Sequence, residues 1–187
     1  MDRTLRILLI PGSLRGRSTN VAVLRTARSL APAGSTGLLF EGLADLPPFN
    51  PDEDAEPLPY AVADLRGQIR GSDALLFSAP EYAGGLPGSF KNLLDWTVGD
   101  EQVGSIYEKP VAWINASPRG APNAYESLRK VLGYVKADIV ESACVHIPVT
   151  EALITDEGQI SDASVREPVS HALAELIRGA AGGPSGP

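Results

Sequence analysis

Three short, almost uninterrupted apolar runs constrain the fold of this 187-residue chain more than any other feature. They occupy residues 5–10, 73–79 and 110–116. A strand that is apolar on both faces is buried on both faces, which is typical of a parallel sheet covered by helices. Two further strands are predicted at residues 36–41 and 139–147, where shorter or alternating apolar patterns occur.

Longer stretches with helical spacing of apolar residues separate these runs. Helices are predicted at residues 19–30, 58–70, 87–96 and 121–135, and a last one at about 162–178. Strands that alternate with helices indicate an α/β fold, a doubly wound five-stranded parallel sheet in a single three-layer α/β/α domain. Right-handed crossovers favour the strand order 2-1-3-4-5.

Composition sets the boundaries of the domain and excludes several classes of protein. We predict one domain over residues 1–178 and a flexible Gly/Pro-rich tail at residues 179–187, which carries no large apolar side chain. A net charge of −7 argues against a nucleic-acid partner. Cys144 is the only cysteine, so neither an internal disulfide nor a thiolate metal site is expected. The apolar runs are too short for a signal peptide or a membrane span, and we expect a cytoplasmic protein without a membrane partner.

The loop after the first strand, PGSLRGRSTN, has the chemistry of a phosphate site. It leads into a helix start, whose free N–H groups and dipole favour an anion. Arg15 or Arg17 would add a charged fork. The polar side chains of this loop are Ser13, Ser18, Thr19 and Asn20. The simpler alternative is that Ser18 or Thr19 only caps the helix. A P-loop lysine and the dinucleotide G-x-G-x-x-G spacing are both missing from this turn.

Two more loops open on the same edge, because the carboxyl ends of parallel strands lie together. The second loop motif, at residues 79–96, contains Pro80, Tyr82 and the pair Gly84-Gly85, which expose backbone beside an aromatic ring and suit a planar heterocycle. An ordinary turn with Tyr82 packed on a neighbour is the alternative. The loop at residues 115–123, NASPRGAPN, would close over the other side of that ring.

These loops resemble those of the NAD(P)H-dependent FMN reductase family, which has a flavodoxin-like fold. The resemblance covers residues 5–147 and is carried by G-S-L-R-x-x-S-x-N at residues 12–20 and by P-E-Y with P-G-x-x-K-N-x-x-D-W at residues 80–96. The segments D-L-P-P-F-N-P-D at residues 45–52 and L-R-K-V-L at residues 128–132 add to it. In two places the chain departs from the family. Ala83 follows P-E-Y where many members have Asn, and the third loop has fewer glycines.

The resemblance implies FMN as cofactor and NADPH or NADH as co-substrate. It implies that Ser13, Arg15, Ser18 and Asn20 bind the phosphate, that Pro80, Glu81 and Tyr82 line the isoalloxazine, and that the Ser117 loop faces the flavin. The full predicted set of cofactor-binding residues is Ser13, Arg15, Ser18, Thr19, Asn20, Pro80, Glu81, Tyr82, Gly84, Ser117, Arg119 and Gly120. The backbone N–H groups near Gly84 and Gly120 are expected to stabilise the reduced ring. The resemblance also implies a homodimer or homotetramer.

We expect a reductase that transfers hydride from a nicotinamide nucleotide through FMN to a second, small-molecule acceptor, such as free flavin or a quinone. The flavin supplies this chemistry, so no catalytic side chain is predicted. His146 and His171 are interpreted as structural or solvent-facing, and Cys144 as a small core residue of the last strand. Two alternatives stay open, a flavodoxin-like electron carrier without NAD(P)H turnover and a phosphate-binding module without flavin. The sequence leaves open whether FMN is a bound prosthetic group or a substrate.

Overall fold

The computed structural model describes residues 3–182 and contains one sheet whose strand pairs are all parallel. Its strand order is β2-β1-β3-β4-β5, and a short β6 also pairs with β4. The predicted fold class and strand order are therefore confirmed. The strands are β1 (Leu5–Pro11), β2 (Ser35–Leu39), β3 (Ala74–Ser78), β4 (Pro110–Asn115), β5 (Asp138–Ile139) and β6 (Val145–His146).

Within the described residues, five α-helices cover the two faces of this sheet and complete three layers. Leu8 and Ile10 of β1 pack with α2, α3 and α4, whereas Ile7 and Leu9 pack with α1 and α5. Successive side chains of a strand point to opposite faces, so one apolar run serves both cores. Among residues 3–182, no helix combines the length and the apolar character that crossing a membrane requires. The helices are α1 (Thr19–Ser29), α2 (Tyr60–Arg70), α3 (Gly88–Val98), α4 (Pro122–Tyr134) and α5 (Ala163–Gly182).

The prediction of one continuous last strand at residues 139–147 is wrong, because two short strands, β5 and β6, occupy this range. β4 pairs at Val111 with Ile139 and at Ile114 with Val145, so the edge strand contains an insertion, a 3-10 turn at Glu141–Ala143. An edge strand pairs on one side only, and an insertion there disturbs a single ladder. Cys144 consequently lies outside the strands, half-buried against both cores.

Helix α5 is longer than predicted and includes the first four residues of the expected tail. Gly179 lies against Val140, and a Cβ added at Gly179 would be 2.7 Å from Val140 Cγ2. Ala180 is packed against the adjacent core. Small residues that allow this close approach extend the packing of the helix, which a search for large apolar groups does not detect. Residues 183–187 of the predicted tail lie outside the described residues.

The proline-rich, acidic loop that follows β2 is fastened to α3. Asn92 accepts a hydrogen bond from the Phe49 N–H (2.7 Å) and donates one to the Pro47 carbonyl (2.9 Å). The fully buried Trp96 donates its indole N–H to the same carbonyl (2.8 Å). Within the family motifs, the Asn and Trp of residues 92–96 thus hold the backbone of residues 45–52. Lys91 and Asp95, four residues apart on α3, form an ion pair.

Candidate active site

A cleft of about 470 Å³ lies at the carboxyl ends of β1, β3 and β4. It is lined by ten of the twelve predicted residues, and Gly84 and Gly120 are the two that do not line it. Pro118, Ala121 and Pro122 complete the wall on the side of the third loop. The order of the strands thus brings together three loops that are widely separated in the chain.

One end of the cleft is a turn of hydroxyl groups at the start of α1. Ser18 is the N-cap of the helix, and its Oγ accepts a hydrogen bond from the Val21 N–H (3.4 Å). Ser13 Oγ accepts one from the Arg15 N–H (3.3 Å). Each hydroxyl keeps its own proton for another acceptor. The capping alternative and the anion-binding prediction are therefore compatible for Ser18. The first helical N–H groups, at Thr19 and Asn20, have no intrahelical acceptor.

Gly12 brings this turn directly against the second loop. A Cβ at Gly12 would lie 2.5 Å from Ala79 Cβ and 2.8 Å from Phe90 Cγ, so only glycine is accommodated. Its N–H donates to the Ser78 carbonyl (2.8 Å). The chain therefore leaves β1 in contact with the end of β3, and the polar turn opens beside Pro80.

The side chain of Asn20 belongs to a buried polar network behind the cleft. Its amide oxygen lies 3.0 Å from Ser78 Oγ, which in turn lies 2.7 Å from the Ile114 carbonyl. The Tyr125 hydroxyl is 3.0 Å from the same carbonyl and accepts a hydrogen bond from the Ala79 N–H (3.2 Å). Burial raises the pKa of Tyr125 well above its ordinary value, so the phenol stays protonated. The network ties the start of α1 to β3, β4 and α4.

The second loop makes a tight two-residue turn beyond Glu81. Tyr82 and Gly85 exchange both backbone hydrogen bonds (3.0 and 3.1 Å). Ala83 (φ 49°) and Gly84 (φ 76°) form the left-handed pair of a type I′ turn, for which Asn-Gly is the preferred sequence. Ala83 therefore keeps the backbone that an asparagine would favour, although an alanine is strained there. Tyr82 remains 47% exposed at the rim of the cleft.

Glu81 connects the second loop to the third by capping α4. Its carboxylate accepts a hydrogen bond from the Ala124 N–H (3.1 Å) and lies 3.5 Å from the amide of Asn123. The residue at the N-cap itself, Ala121, has a left-handed backbone (φ 44°) and no side chain that caps the helix. A carboxylate from another loop supplies the missing acceptor and also favours the positive end of the helix.

Asn115 shapes the third loop from the end of β4. Its side-chain oxygen accepts from the Ser117 N–H (3.0 Å), and its amide group donates to the Gly120 carbonyl. The Gly120 N–H donates to the Ser117 carbonyl (3.2 Å), so this N–H is already engaged within the turn. His146 approaches the same carbonyl through Nε2 (2.7 Å) and supports the loop from β6.

The rim of the cleft carries an ion pair that sequence reasoning did not anticipate. Arg15 Nη2 lies 2.6 Å from an oxygen of Glu151, a residue of the segment that follows β6. Arg17, the alternative arginine, lines a smaller neighbouring cleft together with Arg25. Of the two candidates, the structure places Arg15 in the main cleft.

Four supporting residues were missed. Three of them have partners that are distant in sequence, whereas Asn115 binds within its own loop. A serine that ends a strand, an amide after a strand and an acid in a loop are common features, and no local pattern marks them. The NASPRGAPN segment alone indicated one of them, because its first residue, Asn115, organises the loop through its side chain. The four are Ser78, Asn115, Tyr125 and Glu151.

Comparison with known proteins identifies the family of the chain. A family model for NADPH-dependent FMN reductase matches residues 5–151. The chain belongs to the NADPH-dependent FMN reductase family. A quinone reductase from Pseudomonas putida is 34% identical over 166 residues, which cover 87% of this chain and 88% of the relative. An NAD(P)H-dependent FMN reductase from Pseudomonas aeruginosa is 34% identical over 178 residues, which cover 94% and 95%. The predicted family is thus confirmed.

The fold of this chain is also similar to that of a solved flavoenzyme structure. FerB, described as a flavoenzyme NAD(P)H:(acceptor) oxidoreductase from Paracoccus denitrificans, has a TM-score of 0.78 and 27% sequence identity. The superposition covers 93% of this chain and 98% of FerB.

The donor set of the cleft fits the FMN of this family. Ser13 and Ser18 are almost completely buried hydroxyls, and with the start of α1 and a guanidinium they offer donors to a dianion from several directions. The second and third loops add proline and tyrosine to the lining, beside the charged side chains of Glu81 and Arg119. This combination matches a ligand with a phosphate at one end and a flat ring at the other.

Proposed function

We propose that this protein is an NAD(P)H-dependent flavin reductase. It takes hydride from NADPH or NADH through FMN and passes the electrons to a small-molecule acceptor such as free flavin or a quinone. The observation that carries the proposal is the convergence of ten predicted residues on one cleft, with hydroxyls and a helix start at one end and Tyr82 at the other. Family membership and relatives named as quinone and FMN reductases support the same chemistry.

Each end of the cleft has a separate task in this proposal. Ser13, Ser18, Thr19 and Arg15 hold the phosphate, together with the N–H groups at the start of α1. Pro80 and Tyr82 of the second loop would hold the ring, together with the residues of the third loop that line the cleft. When bound, FMN supplies the hydride chemistry. The protein has to orient the ring and leave one face accessible to the nicotinamide and then to the acceptor.

No side chain is assigned as a general acid or base. Among the lining residues, which all lie in the described part of the chain, Glu81 is the one carboxylate. Its oxygens are used by Ala124 and Asn123 as a helix cap. Hydride transfer needs positioning rather than proton abstraction by the protein. The role of Glu81 as a helix cap is therefore compatible with the reaction.

Anaerobic rapid mixing tests the proposal. Purified protein reconstituted with FMN is mixed with NADPH or NADH while the visible absorbance of oxidised flavin is followed. We expect bleaching, then recovery when a quinone or free FMN is added, and steady consumption of the nucleotide when both are present. A yellow protein that neither nucleotide bleaches would favour a flavodoxin-like carrier. A colourless protein that cannot be reconstituted would favour a phosphate-binding module, and either result would refute the reductase.

We also propose that the protein acts in the cytoplasm as a homodimer or homotetramer, as its resemblance to the family implies. Light scattering coupled to size-exclusion chromatography tests the assembly directly. A monomer at all accessible concentrations would refute this part of the proposal while leaving the flavin chemistry intact.

A further inference from the structure

Arg15 has two partners in the structure. One of them binds its backbone and the other binds its side chain. Its backbone N–H is bound to Ser13 Oγ (3.3 Å), which shapes the phosphate turn. Its guanidinium lines the main cleft and lies 2.6 Å from Glu151 through Nη2. The guanidinium that lies beside the hydroxyls of this turn is therefore already in contact with an anion of the protein itself.

The backbone that precedes Glu151 is anchored to the rest of the protein and holds the residue in this position. The preceding Val149 is fully buried, and its N–H donates to the carbonyl of Ala116 (3.1 Å), next to the third loop of the cleft. A 3-10 turn, Glu151–Leu153, begins at the glutamate. The position of the carboxylate at the rim is consequently fixed by the hydrogen-bonded backbone on both sides of it.

The ion pair between Arg15 and Glu151 is exposed to solvent on both sides. The side chains of Arg15 and Glu151 are 63% and 51% exposed. Pairs with this exposure contribute little to stability, so the guanidinium readily exchanges partners. A carboxylate within hydrogen-bond distance of the arginine also lies close to any anion that the arginine binds. Like charges at such separations repel, and added salt weakens the repulsion.

We propose that Glu151 lowers the affinity of the cleft for the phosphate of FMN by competing for Arg15. The carboxylate and the phosphate share one guanidinium, which keeps the flavin exchangeable rather than permanently bound. Glu151 is a positioning residue, since it acts on the ligand through Arg15. This inference rests on the proposed function of the cleft.

Equilibrium binding of FMN and of riboflavin tests the proposal, because only FMN carries the phosphate. Flavin fluorescence is titrated with wild-type protein, with Glu151→Gln and with Glu151→Lys. We expect Glu151→Gln to tighten FMN binding about three- to fivefold at low ionic strength, the range an exposed ion pair allows. Glu151→Lys should tighten it further. Riboflavin affinity should not change, and the difference for FMN should shrink in high salt.

Two controls separate competition for Arg15 from a general change of charge. Asp156→Asn removes one negative charge from the next turn of the same segment, where Asp156 lines the neighbouring cleft with Arg17 and Arg25. It should leave FMN affinity close to that of the wild type. In an Arg15→Ala background, Glu151→Gln should have no effect, as a double-mutant cycle requires when the interaction passes through Arg15.

The outcomes that would overturn the inference are distinct from failure of the proposed function. Unchanged or weaker FMN binding by Glu151→Gln would refute it. An equal gain with Asp156→Asn, or a gain that persists in the Arg15→Ala background, would also refute it. If the wild-type protein binds neither flavin, the proposed function itself fails. If it binds FMN and ignores the change at Glu151, only this inference is lost.

Discussion

The turn at Ala83 predicts that three identical substitutions will have three different effects on stability. Ala83 (φ 49°) and Ala121 (φ 44°) both have left-handed backbones, whereas Ala63 lies in α2 with its N–H bound to the Pro59 carbonyl (3.0 Å). Ala83 and Ala63 are exposed, and Ala121 is only 4% exposed. Replacing each alanine by glycine therefore isolates backbone strain from loss of packing.

The expected magnitudes follow from these environments. A left-handed alanine costs about 1–2 kcal/mol, while glycine adds freedom to the unfolded chain worth about 0.4–1 kcal/mol. Ala83→Gly should therefore raise the free energy of unfolding by about 0.5–1 kcal/mol. For Ala121→Gly, losing a buried methyl of about 0.8 kcal/mol offsets the gain, so the net change should be near zero. Ala63→Gly should lower the free energy by about 1 kcal/mol, as glycine does within a helix.

Thermal and urea denaturation of the flavin-free protein, followed by far-ultraviolet circular dichroism, measures these changes. For a chain of this size, 1 kcal/mol corresponds to about 2–4 °C in Tm. Ala83→Asn should match or exceed the gain of Ala83→Gly, because asparagine tolerates this backbone in a type I′ turn. The reasoning is refuted if Ala83→Gly and Ala63→Gly destabilise the protein equally, since strain at Ala83 would then have no energetic weight.

Three further predictions concern a helix cap, a buried hydroxyl and a buried thiol. Glu81→Ala should lower the free energy of unfolding by about 1 kcal/mol, and Glu81→Gln by less, because Ala124 loses its capping acceptor; urea denaturation measures both. Ser78→Ala should lower it by about 1–3 kcal/mol by the same assay, since the buried amide of Asn20 loses its partner, whereas full stability would show that the network is dispensable. Burial raises the pKa of the Cys144 thiol to about 11, so alkylation of the folded protein should stay slow near neutral pH and accelerate only as the pH approaches that value. Rapid alkylation at neutral pH, matching that in denaturant, would contradict the burial of Cys144.

The fold was predictable because its signals are local. A strand buried on both faces needs consecutive apolar residues, and a helix start near a ligand needs donors within one turn, so both appear as short patterns. The prediction was less accurate at the edge of the sheet and at the end of α5. At Glu141–Ala143 an insertion divides what the sequence pattern presents as one strand, and at Gly179 close packing replaces apolar bulk. Neither feature has a periodic signature.

The sequence by itself determined which loops carry polar and aromatic groups and on which edge of the sheet they lie. Only the tertiary structure decided what each group does there. Asn20 meets Ser78 at a separation of 58 positions, Glu81 meets Ala124 at 43, and Arg15 meets Glu151 at 136. Backbone geometry sets local periodicity within a few residues, whereas these partners depend on the strand order that brings distant segments together.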